Sequence, residues 1–356
     1  MRKQQGLSLV ELMISITLGL VLMTGVMQMF LSSRTVFSTH QAISRIQESG
    51  RLAMEFMSRD IRMAGYMGCM SRATEVFNTL NNSTDALYDF NMGIEGVTVA
   101  SNGTLPARFS GILNNPVPDS DVLIVRSANG SSAGVTQNNN GAQIFLDHTG
   151  EIPGACPNDS SSLSGLCAGD IVVVSDCEKA RAFQITNLTA TGGATQVNAV
   201  HSSAGNVSPG NAISSWGGNS APPEERFGPD SEVIKLSTTI YFVAENASGG
   251  RSLWQKIGSQ PAQELLEGVA DMRISYGIDA APQNGVPDQY VAASTISGDD
   301  WYNVLSVRVQ LLLESLDDNV LEEPQPYTFN GQSVTPTDRR MRQVFVNTIG
   351  IRSRLP

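Results

Sequence analysis

"GLSLVELMISITLGLVLMTGV" (residues 6–26) decides how this chain is built. It is predominantly apolar, and its only charge is one carboxylate, Glu11, placed near its start. The apolar run covers residues 7–31. As a helix rising ~1.5 Å per residue it would measure roughly 37 Å, more than the ~30 Å of a bilayer core. Arg2 and Lys3 precede it, which predicts a cytoplasmic N-terminus. A plain anchor would avoid Glu11, because an acidic group inside a membrane helix costs up to ~3 kcal/mol. A discarded secretory signal would need small residues at a cleavage site after the run, and "MQMFLSSRTVFSTHQ" follows instead.

The helical pattern then continues through "VFSTHQAISRIQESGRLAMEFMSRDIRMAG". Ile43, Ile46, Ala53, Met57, Ile61 and Ala64 recur at three- and four-residue steps, with Gly50 in an intermediate place. Gly50 costs ~1 kcal/mol relative to Ala in a helix, and a mild bend is expected there. Gly65 supplies a stop, and Arg59 and Arg62 suit the negative end of the helix dipole. These signals predict one long helix over about residues 8–64, embedded in its first half and packed on a globular body in its second.

Beyond residue 66 the signals are strands: 120–128, 169–177, 180–188, 232–245, 269–279, 304–315 and 342–351. They are rich in Val, Ile, Thr and aromatics and bounded by Gly, Pro, Asn and Asp. Long polar loops are expected at 127–141, 156–168 and 201–229. The fold class is α+β, one long N-terminal helix against antiparallel sheet. Only 16% of the 356 residues are charged, against ~25% in an average globular chain. The net charge of −11 argues against a nucleic-acid footprint spread over the surface. The arginines at 339, 340, 342, 352 and 354 are a local exception, read as solvated charges at the two ends of a strand.

Cys69, Cys156, Cys167 and Cys177 form an even set, which in an exported chain suggests two disulfides. Sequence leaves three connectivities open. The expected pairing joins Cys156 to Cys167 across a Ser/Gly loop and Cys69 to Cys177, tying the helix end to a strand.

"KQQG" followed by "LSLVEL" resembles a type IV prepilin leader, shared by type IV pilins and type II secretion pseudopilins. The resemblance implies a cut by a membrane peptidase between Gly6 and Leu7, methylation of Leu7, and Glu11 as the fifth mature residue. The family's usual first mature residue is Phe, and here it is Leu. The segments are then a leader (1–6), a transmembrane and assembly helix (7–31), its amphipathic continuation (32–65) and a β-rich periplasmic or extracellular domain (66–356). After the cut, Glu11 lies one turn from a new amine. In a fibre a neighbour's amine would neutralise it, and a wrongly staggered neighbour would leave it unpaired and costly. Glu11 is therefore expected to set assembly register.

"SRDIRMAGYMGC" (58–69), with "GDIVVVSDC…ARAFQIT" and "MRISYGID…VLSVRVQLLLES", resembles the PilW family of minor pilins. The C-terminal part is also similar to the minor pseudopilin J of type II secretion. The PilW resemblance implies an enlarged type IV pilin fold and a role in priming a pilus, at its tip, in support of twitching motility and adhesion. Its implied partners are other minor pilins, the major pilin, the prepilin peptidase, an inner-membrane assembly platform with its ATPase, and a large tip adhesin. The implied location is the inner membrane before assembly and the pilus afterwards.

Catalysis is not expected, and neither is a cofactor. "GSSAG" (130–134) fits G-x-S-x-G around Ser132, but that motif works only on a strand-to-helix turn, and no helix pattern follows. His40, His148 and His201 show no metal-ligand spacing. Asp279, Asn284 and Asp288 in "DAAPQNGVPD" are a weak Ca²⁺ candidate outside the D-x-D-x-D-G register, and the Asn-Gly pair favours a hairpin turn. Three further readings are a pseudopilin, favoured if that turn binds Ca²⁺, a membrane-anchored surface- or DNA-binding module resting on the C-terminal arginines, and an anchored hydrolase resting on Ser132.

Overall fold

Two long antiparallel strands, Asp121–Gln137 and Glu232–Glu245, run side by side through the body and join its two largest cores. In this computed structural model the described residues are 8–69, 76–192, 195–203, 207–281 and 283–354. Gly6 and Leu7 lie outside them. The first half of Asp121–Gln137 pairs with Ile94–Thr98 and its far end with Gln143–Asp147. Glu232–Glu245 likewise pairs with Ile171–Ser175 through its start and with Arg251–Ile257 through its end. All these strands belong to one eleven-stranded sheet.

The expected loop at 127–141 is mostly strand. Its turn-like "SANGS" composition makes a bulge: Ala128 pairs with Leu236 and Ser132 with Ile234, so residues 129–131 stand opposite Lys235 alone. Gly130 takes φ +93°, which only glycine adopts freely, and the strand resumes beyond it. Period-two alternation was hidden by three small polar residues in a row.

A second sheet, in the order Gln289–Val291, Val269–Ile278, Val304–Glu314, Arg342–Gly350, carries the helix on one face. Its alternation decides which side that is. Met272, Ile274, Val307, Val309, Leu311 and Ile349 are buried with helix residues in one core, while Arg308, Gln310 and Thr348 alternate with them. The opposite face holds a small cluster of Ala270, Leu312 and Phe329, covered by the hairpin Tyr327–Phe329/Gln332–Val334. The other large core lies along the far half of the long strands, around Phe183, Trp216, Phe227 and Val233.

Cys69 is bonded to Cys177 and Cys156 to Cys167. The chain therefore has a pilin-like α+β fold: a long N-terminal apolar helix followed by a large sheet-rich body.

Candidate assembly interface

The helix runs unbroken from Leu9 to Arg62. Ser8 stands before its first turn, and the Ser8 N–H donates to Glu11 Oε2 at 3.1 Å. The Glu11 carboxylate thus caps its own helix, where the dipole favours a negative group. This local role was not foreseen; a carboxylate three residues after a serine is the signal that carries it.

From Leu9 to Phe37 the large apolar side chains are exposed, Leu22 by 71%, Met29 by 76% and Phe37 by 71%. The most apolar 18-residue window has a mean hydropathy of 2.1. Hydroxyls within the run turn inward on the helix itself. Ser15 Oγ donates to Glu11 O at 2.7 Å and Thr24 Oγ1 to Leu20 O at 2.8 Å, so neither asks for water. An apolar surface of this extent, uncovered by its own chain, marks a lipid or protein contact.

Docking on the body starts at Thr39, whose Oγ1 donates to Val320 O at 3.1 Å. Ile46, Gly50, Ala53, Met54, Met57 and Ile61 are buried, with Ala64 just past the last turn. Ile43 of the expected stripe is only half-buried, and Met54 joins it unforeseen. The bend expected at Gly50 does not interrupt the helix. A Cβ there would run into the Phe345 ring, so the glycine is a notch for close approach. Polar ties complete the seat: Asn347 Nδ2 donates to Ser58 Oγ at 3.1 Å and Tyr241 Oη to Asp60 Oδ2 at 2.7 Å. Burial raises the Asp60 carboxyl above its ordinary 3.8, against the opposing pull of the Tyr241 bond and Arg59.

The helix end is anchored by a buried charge. The Gly65 N–H donates to Arg126 O at 2.9 Å. The Arg126 guanidinium is fully buried and donates to Glu95 Oε2 at 2.8 Å, to Ala86 O at 2.6 Å and to Met92 O at 2.7 Å. Gly93 lies so close to Gly65 that a side chain on it would strike the Gly65 backbone.

The remaining candidates separate. Ser132 is exposed within the strand Asp121–Gln137, paired opposite Ile234, and not on a strand-to-helix turn. His40 is exposed on the helix. His201 is buried and stacked on Trp216 at 4.1 Å between ring centres, and burial pushes its imidazole down to about 4. Asp279 Oδ1 accepts from Asn284 N at 3.1 Å and its Oδ2 from Gly285 N at 2.9 Å, while Asp288 Oδ2 accepts from Ala280 N at 2.8 Å. These carboxylates close the connection between Val269–Ile278 and Gln289–Val291. Among the described residues no group of His, Cys, Asp and Glu is arranged to hold a metal.

Of the C-terminal arginines expected to be solvated, Arg339 and Arg352 are exposed, whereas Arg340, Arg342 and Arg354 are not. Arg342 donates to both Asp338 oxygens, at 2.6 and 2.7 Å, and to Glu314 at 2.9 Å. Arg340 donates to the Ser315 and Leu316 carbonyls, each at 2.7 Å, and Arg354 is buried, donating to Trp301 O at 2.6 Å. The Trp301, Ser315 and Leu316 carbonyls and the Glu314 carboxylate, all distant in sequence, capture these three, with Asp338 four residues from Arg342.

Comparison with known families supplies two matches. Residues 240–353 match the family described as type IV pilus-assembly protein W, PilW. Residues 1–27 match the prokaryotic N-terminal methylation motif. Neither the curated proteins nor the solved structures gave a match. The two family matches are those of a PilW-like type IV prepilin and support a type IV pilus-related pilin.

Proposed function

We propose that this chain is a minor pilin that helps prime a type IV pilus and sits at its tip, supporting pilus biogenesis, twitching motility and adhesion. One observation carries the reading. The helix offers an uncovered apolar arm with a single carboxylate at its head, while its other half is locked to the body.

The mechanism is assembly and not catalysis. The prepilin waits in the inner membrane with a cytoplasmic N-terminus and a periplasmic body, a compartment that suits its two disulfides. The peptidase cuts between Gly6 and Leu7, and Leu7 is methylated. The arm, about 45 Å over residues 9–38 at ~1.5 Å per residue, then leaves lipid for the apolar arms of other pilins. Glu11 exchanges its hold on the Ser8 N–H for the amine of a neighbour, and a wrong stagger leaves a buried carboxylate unpaired. The partners are other minor pilins, the major pilin, the assembly platform and a large tip adhesin.

Residues 240–353, the matched segment, supply the helix-bearing sheet, whereas the far half of the long strands and its separate core precede that segment. An enlarged body of this kind suits a few copies at a tip. Mass spectrometry of sheared, purified pili tests this. The reading expects an N-terminal peptide starting at methylated Leu7, at a few copies per pilus. A peptide retaining residues 1–6, or shaft-like abundance, refutes it.

A further inference from the structure

A cleft of about 590 Å³ opens on the sheet face opposite the helix, within the ~300–1,000 Å³ typical of small-ligand sites. Four arginines meet on its walls in a chain whose net charge is −11: Arg251, Arg273, Arg340 and Arg342. Two of them are committed. Arg342 is held by Asp338 and Glu314, and Arg340 by two carbonyls.

The other two are not. Arg251 is exposed and donates to Ala270 O at 3.1 Å, and it has no ion pair among the described residues. Among the described residues Arg273 reaches only Asp271, at 3.3 Å, and its buried Nε has no acceptor. Asp271 and Arg273, two apart on one strand, share a face, and Met272 and Ile274 alternate with them into the core. Burial raises the Asp271 carboxyl above its ordinary 3.8. One reluctant carboxylate therefore faces two guanidiniums, each built to grip a carboxylate through two parallel N–H bonds.

The same cleft holds the phenol of Tyr327 and the carboxamides of Asn330 and Gln332, none with a side-chain hydrogen-bond partner among the described residues. Several uncommitted neutral groups beside a carboxylate grip suit the many hydroxyls of a sugar. We propose that this cleft binds an acidic saccharide, its carboxylate held by Arg251 and Arg273 and its hydroxyls by Tyr327, Asn330 and Gln332. The proposal stands whether or not the chain enters a pilus.

The test titrates the full-length chain in detergent micelles with digalacturonate, galactobiose and triglutamate, followed by calorimetry. Digalacturonate is expected to bind in the millimolar range or tighter, and to weaken as salt is added. Galactobiose should bind at least about tenfold more weakly, and Arg251→Ala should lose about tenfold or more while its melting temperature stays unchanged. Arg273→Gln gives the second reading of the same loss. No binding of digalacturonate at about 10 mM overturns the site. So does equal binding of galactobiose, tighter binding of triglutamate, or an unaffected Arg251→Ala chain.

Discussion

Gly50 of the helix lies directly against the ring of Phe345 on the strand Arg342–Gly350, with no room for a methyl group between them. Two effects oppose each other at this position. Alanine is worth ~1 kcal/mol over glycine inside a helix, while overpacking costs typically ~1–3 kcal/mol. Gly50→Ala is therefore expected to destabilise the body by up to about 2 kcal/mol in chemical denaturation. In a Phe345→Leu background the same change should turn neutral or stabilising by up to about 1 kcal/mol. An unchanged loss in that background would mean that Phe345 is not the obstacle.

Asp60 couples the helix to pH. Its folded-state pKa is raised by burial, so between 3.8 and that raised value the native state holds a proton that the unfolded chain releases. Stability is then lost as pH climbs through the window and is unaffected below it. Asp60→Asn cannot ionise. Its stability relative to the natural chain should be constant below about pH 3.8 and should rise above it. A difference that stays flat from pH 3 to 7 would contradict this assignment.

Glu95 balances a cation that has no contact with water. Glu95→Ala strands the Arg126 guanidinium and should cost about 3–5 kcal/mol. Glu95→Gln keeps an acceptor and should cost less. Hydrogen exchange at Gly65, whose N–H binds the Arg126 carbonyl, should speed up in the alanine variant. Equal melting temperatures for both variants and the natural chain would show the ion pair to be dispensable.

The two disulfides close loops of very different length, with separations of 108 and 11 residues. Loop-closure entropy puts their stabilisation at about 5 and about 3 kcal/mol. Replacing Cys69 and Cys177 by serine should therefore lower the denaturation midpoint more than replacing Cys156 and Cys167. The reverse order would place the larger constraint in the Cys156–Cys167 loop.

Much of this architecture was legible in the chain. The helix was announced by a long 3.6-residue pattern and a glycine stop, and the strand Glu232–Glu245 by its richness in Val, Ile, Thr and aromatic residues. Other strands escaped: Ile94–Thr98 carries a buried Glu95, and Gln263–Glu267 is mostly polar. Ile94–Thr98 and the bulge at Gly130 are set by pairing partners distant in sequence, whereas Gln263–Glu267 is the second arm of a hairpin with Arg251–Ile257. Glu11 stood out because a charge in an apolar run is costly. Asp60, Tyr241 and Arg273 did not, since their roles exist only once the helix and both sheets have come together.

The account rests on the apolar arm acting in pilus assembly. The direct measurement is a count of surface pili by electron microscopy in a deletion strain, with and without the retraction motor, complemented by the natural chain or by Glu11→Ala. Pili should disappear on deletion and return in part when retraction is blocked, and Glu11→Ala should fail to restore them. Normal pili together with failed export of secreted enzymes would contradict the account and assign the chain to a secretion machine.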